Sequence, residues 1–419
     1  MVTIVEGLKD VELRGFKEYN LSKLCFFMSE LDRVQHLSKD MTFLTTIKKC
    51  ISTSERWVYN SGNSNILFFL NHTRSNNVDL LNSVSDLIPR KCQISYLDES
   101  RIVLNRCTKN IWLIFSWLLK LRATKLMSTQ KYFLIRELLR IKYLDDFLSK
   151  SVDISKFRLV VAFYDAQTFG NFLIQKAQLN RILTATLSHG IVLAQRSDMP
   201  IDYCGIELRG TISDFFLGWN KFSKNEALKQ GISENKIKIL GVPYFIGYDT
   251  GINNYSGGRF GLVLDNMSGD IFNKRLIVIG NQLSKELNIK YTIRFHPSFN
   301  GNEYDKIIDF NYYEGINTDS TIKEYVRTVD FTLLANSSVF IELIYLKHKV
   351  YRYGDNSTFD KYRAFKQNSF SSYATLSVMY KSNENRIDEL FEELCTVSDV
   401  KKSFTEFFKQ FELISNYPG

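Results

Sequence analysis

The stretch KYTIRFHP, residues 290–297, indicates the fold of the C-terminal half. It reads as a short buried strand, Lys290 to Phe295, that ends at His296-Pro297. A second strand, Phe331 to Leu334, ends in the same way at Asn336-Ser337-Ser338 and leads into a helix. Strands that alternate with helices predict a parallel sheet covered on both faces, and such sheets bind ligands at the carboxyl ends of their strands.

The same alternation occurs in the first half of the chain, where predicted strands end at Asp165 and at Ser188-His189-Gly190. Residues 247–258 are rich in Gly, Asn and Ser and show no apolar periodicity, which is typical of a linker. The sequence therefore predicts two α/β domains, residues 1–246 and 259–419, with a basic amphipathic insertion at about 101–150 in the first. Within the first domain, residues 1–60 are predicted to be mostly helical and residues 108–150 to form a long helical region. A further helix is predicted to start at Ser223, with Glu226 completing a capping box.

The charge of the chain is concentrated in that insertion. The chain has 419 residues and a net charge of +9, and residues 101–150 hold eleven Lys or Arg against three acidic residues. Such a segment attracts an acidic partner, and its interleaved aromatic residues favour a helix lying on a membrane surface. A buried helix with Lys and Arg on its rim is the alternative. The predicted membrane or acceptor patch consists of Lys109, Trp112, Trp117, Lys120, Arg122 and Lys125.

Several classes of protein are excluded by the sequence. The six cysteines lack CxxC spacing, which argues against a structural zinc site or a disulfide framework and favours reduced thiols. No helix-turn-helix, RNP or zinc signature accompanies the charge, so nucleic acid is not an expected partner. No signal peptide is visible, and the apolar run 111–119 is shorter than the ~20 residues of a spanning helix. We expect a cytoplasmic protein, peripheral on the inner face of the plasma membrane.

Two motifs carry a resemblance to a known group of enzymes. Arg294-Phe295-His296-Pro297 resembles the HP motif of bacterial polysialyltransferases and lipooligosaccharide sialyltransferases. Asn336-Ser337-Ser338, followed by Glu342, resembles their serine motif, and residues 187–191 are similar to the QHG segment of CDP-glycerol glycerophosphotransferases. The resemblance covers residues 159–355. It implies the GT-B plan, two Rossmann-like domains with a donor site in the interdomain cleft.

The resemblance also implies a function. It suggests a metal-independent glycosyltransferase that moves a sugar from a nucleotide-activated donor to a bacterial cell-surface glycan. A CMP- or CDP-linked donor is favoured and a UDP-sugar is the alternative; the donor is a co-substrate, and no cofactor is expected. The other partners would be a glycan or lipid-linked glycan acceptor and the cytoplasmic membrane surface. A nucleotide-sugar 2-epimerase and a non-catalytic GT-B-like partner protein are the alternative functions.

The predicted site has a phosphate-binding part and a catalytic part. A histidine at a strand end and serines that open a helix suit an anionic donor. The first part consists of Arg294, His296, Pro297, Asn336, Ser337, Ser338, Glu342, Asn266 and Ser268. The general base stays open among His189, Asp165 and Glu207, because no clean pair of acidic residues precedes a glycine in the first domain. Asp165 and the two serines have an alternative interpretation as helix caps.

Overall fold

The structure is a computed structural model. It describes residues 3–51, 55–70, 75–98, 110–163, 165–188, 190, 206, 208–246, 258–265, 270–296, 302–316, 321–354, 365, 368–395 and 397–412. The chain forms two compact units. Unit 1 comprises residues 1–219, 223–246 and 399–419, and unit 2 comprises residues 220–222 and 247–398.

Unit 1 contains a seven-stranded sheet in the order β1-β3-β2-β4-β5-β6-β7. Only the edge pair β1–β3 is antiparallel, and the other neighbours run parallel. The strand order reverses between β2 and β4, which is the doubly wound arrangement. The strands are β1 (Glu55–Asn60), β2 (Ile66–Leu70), β3 (Cys92–Asp98), β4 (Leu159–Phe163), β5 (Leu183–Leu187), β6 (Phe215–Gly218) and β7 (Ile237–Ile239).

The helices of unit 1 cover this sheet. The two central strands, β2 and β4, are buried along their whole length, so both faces of the sheet are covered. The helices are α1 (Ile4–Gly7), α2 (Leu21–Leu24), α3 (Phe26–Gln35), α4 (Phe43–Ile51), α5 (Ser75–Ser85), α6 (Ile111–Arg122), α7 (Ser128–Ser151), α8 (Thr168–Leu179) and α9 (Lys221–Lys229, whose first two residues fall in unit 2).

Unit 2 contains a six-stranded parallel sheet in the order β10-β9-β8-β11-β12-β13. In chain order this is 3-2-1-4-5-6, the order of a Rossmann sheet, with its reversal between β8 and β11. The strands are β8 (Arg259–Val263), β9 (Lys290–Arg294), β10 (Tyr313–Ile316), β11 (Thr332–Leu334), β12 (Val350–Tyr353) and β13 (Ser369–Phe370). The helices are α10 (Asp270–Leu287), α11 (Ile322–Tyr325), α12 (Val339–Tyr345), α13 (Tyr373–Ser382) and α14 (Ile387–Leu394).

The last helix, α15 (Val400–Glu412), belongs to unit 1, although the sequence prediction placed it in the second domain. One face of this helix is aromatic. Phe408 packs edge to face on Phe68 of β2 at 5.6 Å between ring centroids, and Phe407 packs on Phe215 of β6 at the same distance. Burial of that face against unit 1 explains the return of the chain.

Three local predictions differ from the structure. The long helix predicted over residues 108–150 is two helices, α6 and α7, separated by residues 123–127. The capping box predicted at Ser223 is wrong, because α9 begins two residues earlier, at Lys221, and encloses Ser223. Residues 1–60, predicted to be mostly helical, include the edge strand β1. The alternating α/β architecture itself is confirmed.

Candidate functional site

The candidate site lies at the carboxyl edge of the sheet in unit 2, around the reversal between β8 and β11. Strand β9 ends at Arg294 and is followed by Phe295 and His296, while β11 leads into Asn336 to Ser338. The two strands flank β8, so their ends are separated by two strand spacings, about 10 Å. A ligand at a topological switch point is expected at this edge.

The side chain of Arg294 projects from one defined face of the sheet. Gly261 of β8 pairs with Thr292 of β9, and Arg294, two residues further, shares the face of Thr292. Tyr325 of α11 covers that face and donates a hydrogen bond to the backbone oxygen of Thr292 at 3.2 Å. The positive charge of Arg294 acts to lower the pKa of Tyr325, although burial raises that pKa overall. Arg294 and Tyr325 are therefore neighbours.

Glu342 of α12 is an acidic residue that interacts electrostatically with Arg294. It is partly buried, and burial raises the pKa of its carboxyl to about 7 against the opposing effect of the Arg294 guanidinium. Helices α11 and α12 contact each other, which places Glu342 on the same side of the sheet as Tyr325. Near neutral pH this carboxyl can therefore donate or accept a hydrogen bond.

The segment Asn336 to Ser338 connects β11 to α12. Asn336 is buried, Ser337 is partly exposed and Ser338 is exposed. Ser338 stands at the N-cap of α12, but its side chain makes no capping hydrogen bond. The hydroxyl of Ser337 accepts only a long hydrogen bond of 3.4 Å from the backbone nitrogen of Val339. The hydroxyl of Ser338 therefore does not cap α12.

The loop after β8 is held by Asn273 of α10. Its side-chain oxygen accepts a hydrogen bond from the backbone nitrogen of Asp265 at 2.8 Å, and its nitrogen donates to the backbone oxygen of Asp265 at 2.9 Å. The same nitrogen lies 3.1 Å from the hydroxyl of Tyr304, which donates to Asp270. These contacts hold Asp265 and Asp270 in place. Asn266 and Ser268, predicted to bind phosphate, lie outside the described residues.

His348 is buried in unit 2. Its Nε2 lies 3.0 Å from the hydroxyl of Thr332 on β11. Burial lowers the pKa of His348 to about 4, so the ring is neutral near pH 7. This histidine therefore supports the strand and brings no charge to the carboxyl edge.

Asp165 follows β4 in unit 1, at the carboxyl edge that was predicted, but its carboxylate is only 1% exposed. One oxygen, Oδ2, accepts hydrogen bonds from the backbone nitrogens of Ile212 and Ser213 and from the hydroxyl of Ser213, at 2.7–2.9 Å. Burial raises the pKa of Asp165, and these hydrogen bonds oppose that change. A general base must reach its substrate, so this geometry gives Asp165 a structural role in fixing the segment before β6.

The neighbouring residues of unit 1 are anchored at several points. Gly210 lies so close to Ala166 and Phe26 that a Cβ there would come within 2.9 Å of both side chains. Arg209 forms an ion pair with Glu30 at 2.7 Å and lies over the ring of Phe26. The segment that approaches Asp165 is thus rigidly positioned. His189 and Glu207, the other predicted bases, and Pro297 and Lys109 lie outside the described residues.

Some described residues of the predicted membrane or acceptor patch are exposed, and one is buried. Trp112 is 80% exposed, and Lys120, Arg122 and Lys125 are exposed as well. Trp117 is instead fully buried: its ring packs on Phe16 and its Nε1 donates to the backbone oxygen of Arg14 at 2.9 Å. Its assignment to the patch is therefore wrong, because helical periodicity places it on the face opposite Trp112.

The described residues contain neither a cluster of metal ligands nor a membrane-spanning helix. Within these ranges, no three His, Cys, Asp or Glu side chains come together as a metal site. In the same part of the chain, no helix is both long and apolar enough to cross a bilayer.

Sequence reasoning missed Gly261 and Tyr325. The signal for Gly261 was present, since a glycine inside an apolar strand often marks a close approach by another group. Tyr325 stands in a one-turn helix, and no sequence pattern indicated that its ring would cover β8 and β9.

Comparison with known proteins gives structural neighbours only. No protein-family model matches the sequence, and no curated protein sequence matches it. Staphylococcus aureus MnaA in complex with UDP matches with a TM-score of 0.50 and 12% identity, over 84% of this chain and 98% of that one. The chain has a GT-B-type fold. It is built from two Rossmann-like units, as the sequence predicted.

Two further solved structures are similar to this chain at lower TM-scores. UDP-GlcNAc 2-epimerase from Neisseria meningitidis, bound to UDP-GlcNAc, matches at 11% identity over 82% of this chain and 98% of its own, with a TM-score of 0.49. The wall teichoic acid polymerase TagF matches at 14% identity over 64% and 84%, with a TM-score of 0.37.

These neighbours correct the predicted function. The prediction of a glycosyltransferase is contradicted, because solved structures similar to this chain are UDP-GlcNAc 2-epimerases from several organisms, the class named above as an alternative function. None of the neighbours named above is a sialyltransferase. The HP and serine motifs led to the wrong predicted reaction, because any enzyme that breaks the bond between a sugar and a nucleotide needs a phosphate-binding edge.

Proposed function

We propose that the protein binds the nucleotide of a UDP-sugar through unit 2 and acts on the sugar as a 2-epimerase. One observation carries the proposal: Arg294 and His296 at the end of β9, and Ser337 and Ser338 after β11, lie on the two strands that flank β8 at the switch point. The likeness in fold to MnaA, a protein solved with UDP, supports uridine diphosphate as the nucleotide.

The chemistry of these residues suits a diphosphate. Arg294 carries a permanent positive charge and presents a planar set of donors that matches phosphate oxygens. Ser338 offers an exposed hydroxyl that its own helix does not use. Glu342, with a pKa of about 7, can bind a hydroxyl of the ligand as donor or acceptor. Together they would hold the nucleotide and stabilise the charge of a leaving diphosphate.

Sugar transfer and 2-epimerisation both require this edge of the sheet to stabilise a departing phosphate. Each breaks the bond between the anomeric carbon and the diphosphate, so each needs the departing phosphate to be stabilised. Epimerisation adds a different requirement. A base must remove the proton at C2 as the diphosphate departs, and the diphosphate must then add back to the anomeric carbon while a proton returns to the opposite face of C2. Of the predicted bases, His189 and Glu207 remain the candidates, since Asp165 is buried.

The place of action is a separate proposal. We propose peripheral association with the inner face of the cytoplasmic membrane, and α6 of unit 1 is the surface that would mediate it. Its exposed apolar side chains and basic residues support this proposal.

Binding of nucleotides is the first test. Isothermal calorimetry and thermal shift with UDP, CMP, CDP and GDP should show UDP as the tightest ligand, with stabilisation that grows with its concentration. Absence of binding by every nucleotide would overturn the proposal. Preference for CMP or CDP would contradict the assignment of the nucleotide.

The reaction is tested with UDP-GlcNAc in D2O. A 2-epimerase must exchange the C2 proton with solvent, so proton NMR should show loss of the C2 signal and growth of the C2 epimer. UDP binding with no exchange at C2 would refute the epimerase and favour a non-catalytic nucleotide-binding protein.

A further inference from the structure

Helix α6 of unit 1 has two apolar faces, and only one of them is covered by the part of the chain that the structure describes. Ile114, Trp117 and Leu121 point into the core, where they are at most 3% exposed. A helix that is apolar all round is normally buried on every side. The exposure of the second apolar face of α6 is therefore unusual.

The outward face forms a continuous stripe. Trp112 is 80% exposed and Leu119 is 69% exposed, while Ile111 and Phe115 are about half exposed. At 3.6 residues per turn, these four side chains fall within an arc of about 100°, opposite the buried face. The stripe runs from the first to the ninth of the twelve residues of α6.

The charge around this stripe has a single sign. Lys120, Arg122 and Lys125 are exposed, and residues 110–127 contain no Asp or Glu. By the same helical spacing, Arg122 lies within the arc of the stripe, and Lys120 lies about 80° beyond its edge, between the stripe and the buried face. An apolar face with basic residues at its margins is the arrangement of a helix that lies in the headgroup region of an anionic membrane.

The helix is firmly attached to the unit. Trp117 anchors its middle through the hydrogen bond to Arg14 and the contact with Phe16, and α7 packs against it after residues 123–127. Rigid attachment means that the stripe is presented in a fixed orientation. A second exposed apolar pair, Phe43 and Leu44, begins α4, which also packs on α7.

We infer that the outward face of α6 is a docking surface for an anionic lipid bilayer. The apolar stripe inserts among the acyl chains near the headgroups, and the three basic side chains contact lipid phosphates. Charge complementarity favours this occupant over a second copy of the chain, because two such faces would bring like charges together. The inference rests on the proposed membrane association and is independent of the nucleotide site in unit 2.

Vesicle co-sedimentation tests this directly. The full chain should bind vesicles of phosphatidylglycerol mixed with phosphatidylcholine, and should bind vesicles of phosphatidylcholine alone at least about tenfold more weakly. Added salt should weaken binding to the anionic vesicles. Equal binding to both compositions, or binding to neither, would overturn the inference.

Tryptophan fluorescence gives an independent measurement. The other three tryptophans, Trp57, Trp117 and Trp219, are at most 7% exposed, so Trp112 dominates any response to a change of solvent. Its emission should move to shorter wavelength with anionic vesicles. A spectrum unchanged at saturating lipid would show that α6 does not enter the bilayer.

Two sets of variants separate the apolar and the electrostatic contributions. Trp112→Gln with Leu119→Gln should lower the partition coefficient at least about tenfold, as should Lys120→Glu with Arg122→Glu and Lys125→Glu. The matched controls are Ile271→Gln with Val278→Gln on exposed positions of α10, and Lys401→Glu with Lys402→Glu and Lys409→Glu on α15. Loss of binding in the control sets but not in the α6 sets would refute the docking surface.

Two outcomes identify other occupants. If light scattering shows a dimer that Trp112→Gln with Leu119→Gln converts to a monomer, the stripe is an interface between copies and the lipid inference fails. UDP binding, measured without vesicles in every variant, should stay unchanged. If the wild-type protein does not bind UDP, the nucleotide proposal is refuted, while the result for membrane binding is unaffected.

Discussion

The phenol of Tyr325 lies so close over Gly261 that a Cβ at position 261 would come within 2.5 Å of the phenolic oxygen. The hydroxyl donates to the backbone of Thr292, so the ring is fixed across β8 and β9 beside Arg294. This contact sets the position of the helix that covers the candidate site, and it can be tested by substitution.

Gly261→Ala should destabilise the protein, because neither the strand backbone nor the buried ring can move far. We expect a loss of about 1–3 kcal/mol in the free energy of unfolding, measured by urea denaturation. Tyr325→Phe alone should cost about 1 kcal/mol by removing the hydrogen bond. In the double variant the penalty of Gly261→Ala should shrink; simple additivity of the two losses would show that the contact is not as described.

Arg294→Ala and His296→Ala should weaken UDP binding in calorimetry. Loss of a charge-assisted hydrogen bond to phosphate is worth about 1.5–3 kcal/mol, so we expect at least about tenfold weaker binding for Arg294→Ala. Lys290→Ala is the matched control, because this exposed residue begins the strand that Arg294 ends. Equal effects of Lys290→Ala and Arg294→Ala would argue against a site at the carboxyl edge.

Glu342 should make stability depend on pH. Its pKa in the folded protein, about 7, lies above the ordinary value of 4.5, so the folded state holds the proton more tightly. The stability from this carboxyl is complete below pH 4.5 and is lost as the pH rises to about 7, by up to about 3 kcal/mol. Glu342→Gln should remove that part of the decline, seen in denaturation curves at a series of pH values. An unchanged pH profile would contradict the raised pKa.

Asp165→Asn should act on stability rather than on catalysis. The amide cannot accept as strongly from the two backbone nitrogens and the hydroxyl that converge on Oδ2, so we expect a loss of about 1–3 kcal/mol. Exchange at C2 per folded molecule, measured by NMR, should persist. A variant that folds as stably as the wild type but shows no exchange would restore Asp165 as the base.

The fold could be predicted largely because its signals are local. Short apolar strands such as β4 and β9, each closed by polar residues, identify parallel sheets and the edge where Asp165 and His296 lie. The position of α15 could not be predicted, because the aromatic pattern of a helix face does not determine which unit that face packs against. Trp112 and Trp117 were assigned alike because they share a residue type, while their exposure depends on which face of α6 meets the core.

Function was harder to predict than fold for a chemical reason. Arg294 and Ser338 are predicted to bind an anion, and anion binding is common to enzymes that transfer a sugar and to those that isomerise it. The residues that would distinguish the reactions are the bases, and the sequence left three candidates for that role. The contact of Tyr325 with Gly261 joins residues 64 positions apart, beyond the reach of any local pattern.

Because α15 completes unit 1, that unit is discontinuous along the chain. During synthesis the ribosome must produce nearly the whole polypeptide before Phe407 and Phe408 can cover Phe215 and Phe68. Unit 2 apart from residues 220–222 emerges as one uninterrupted segment, so it can acquire its native contacts first. A nascent chain stalled before residue 399 would present an uncovered aromatic surface, the kind of feature that chaperones recognise.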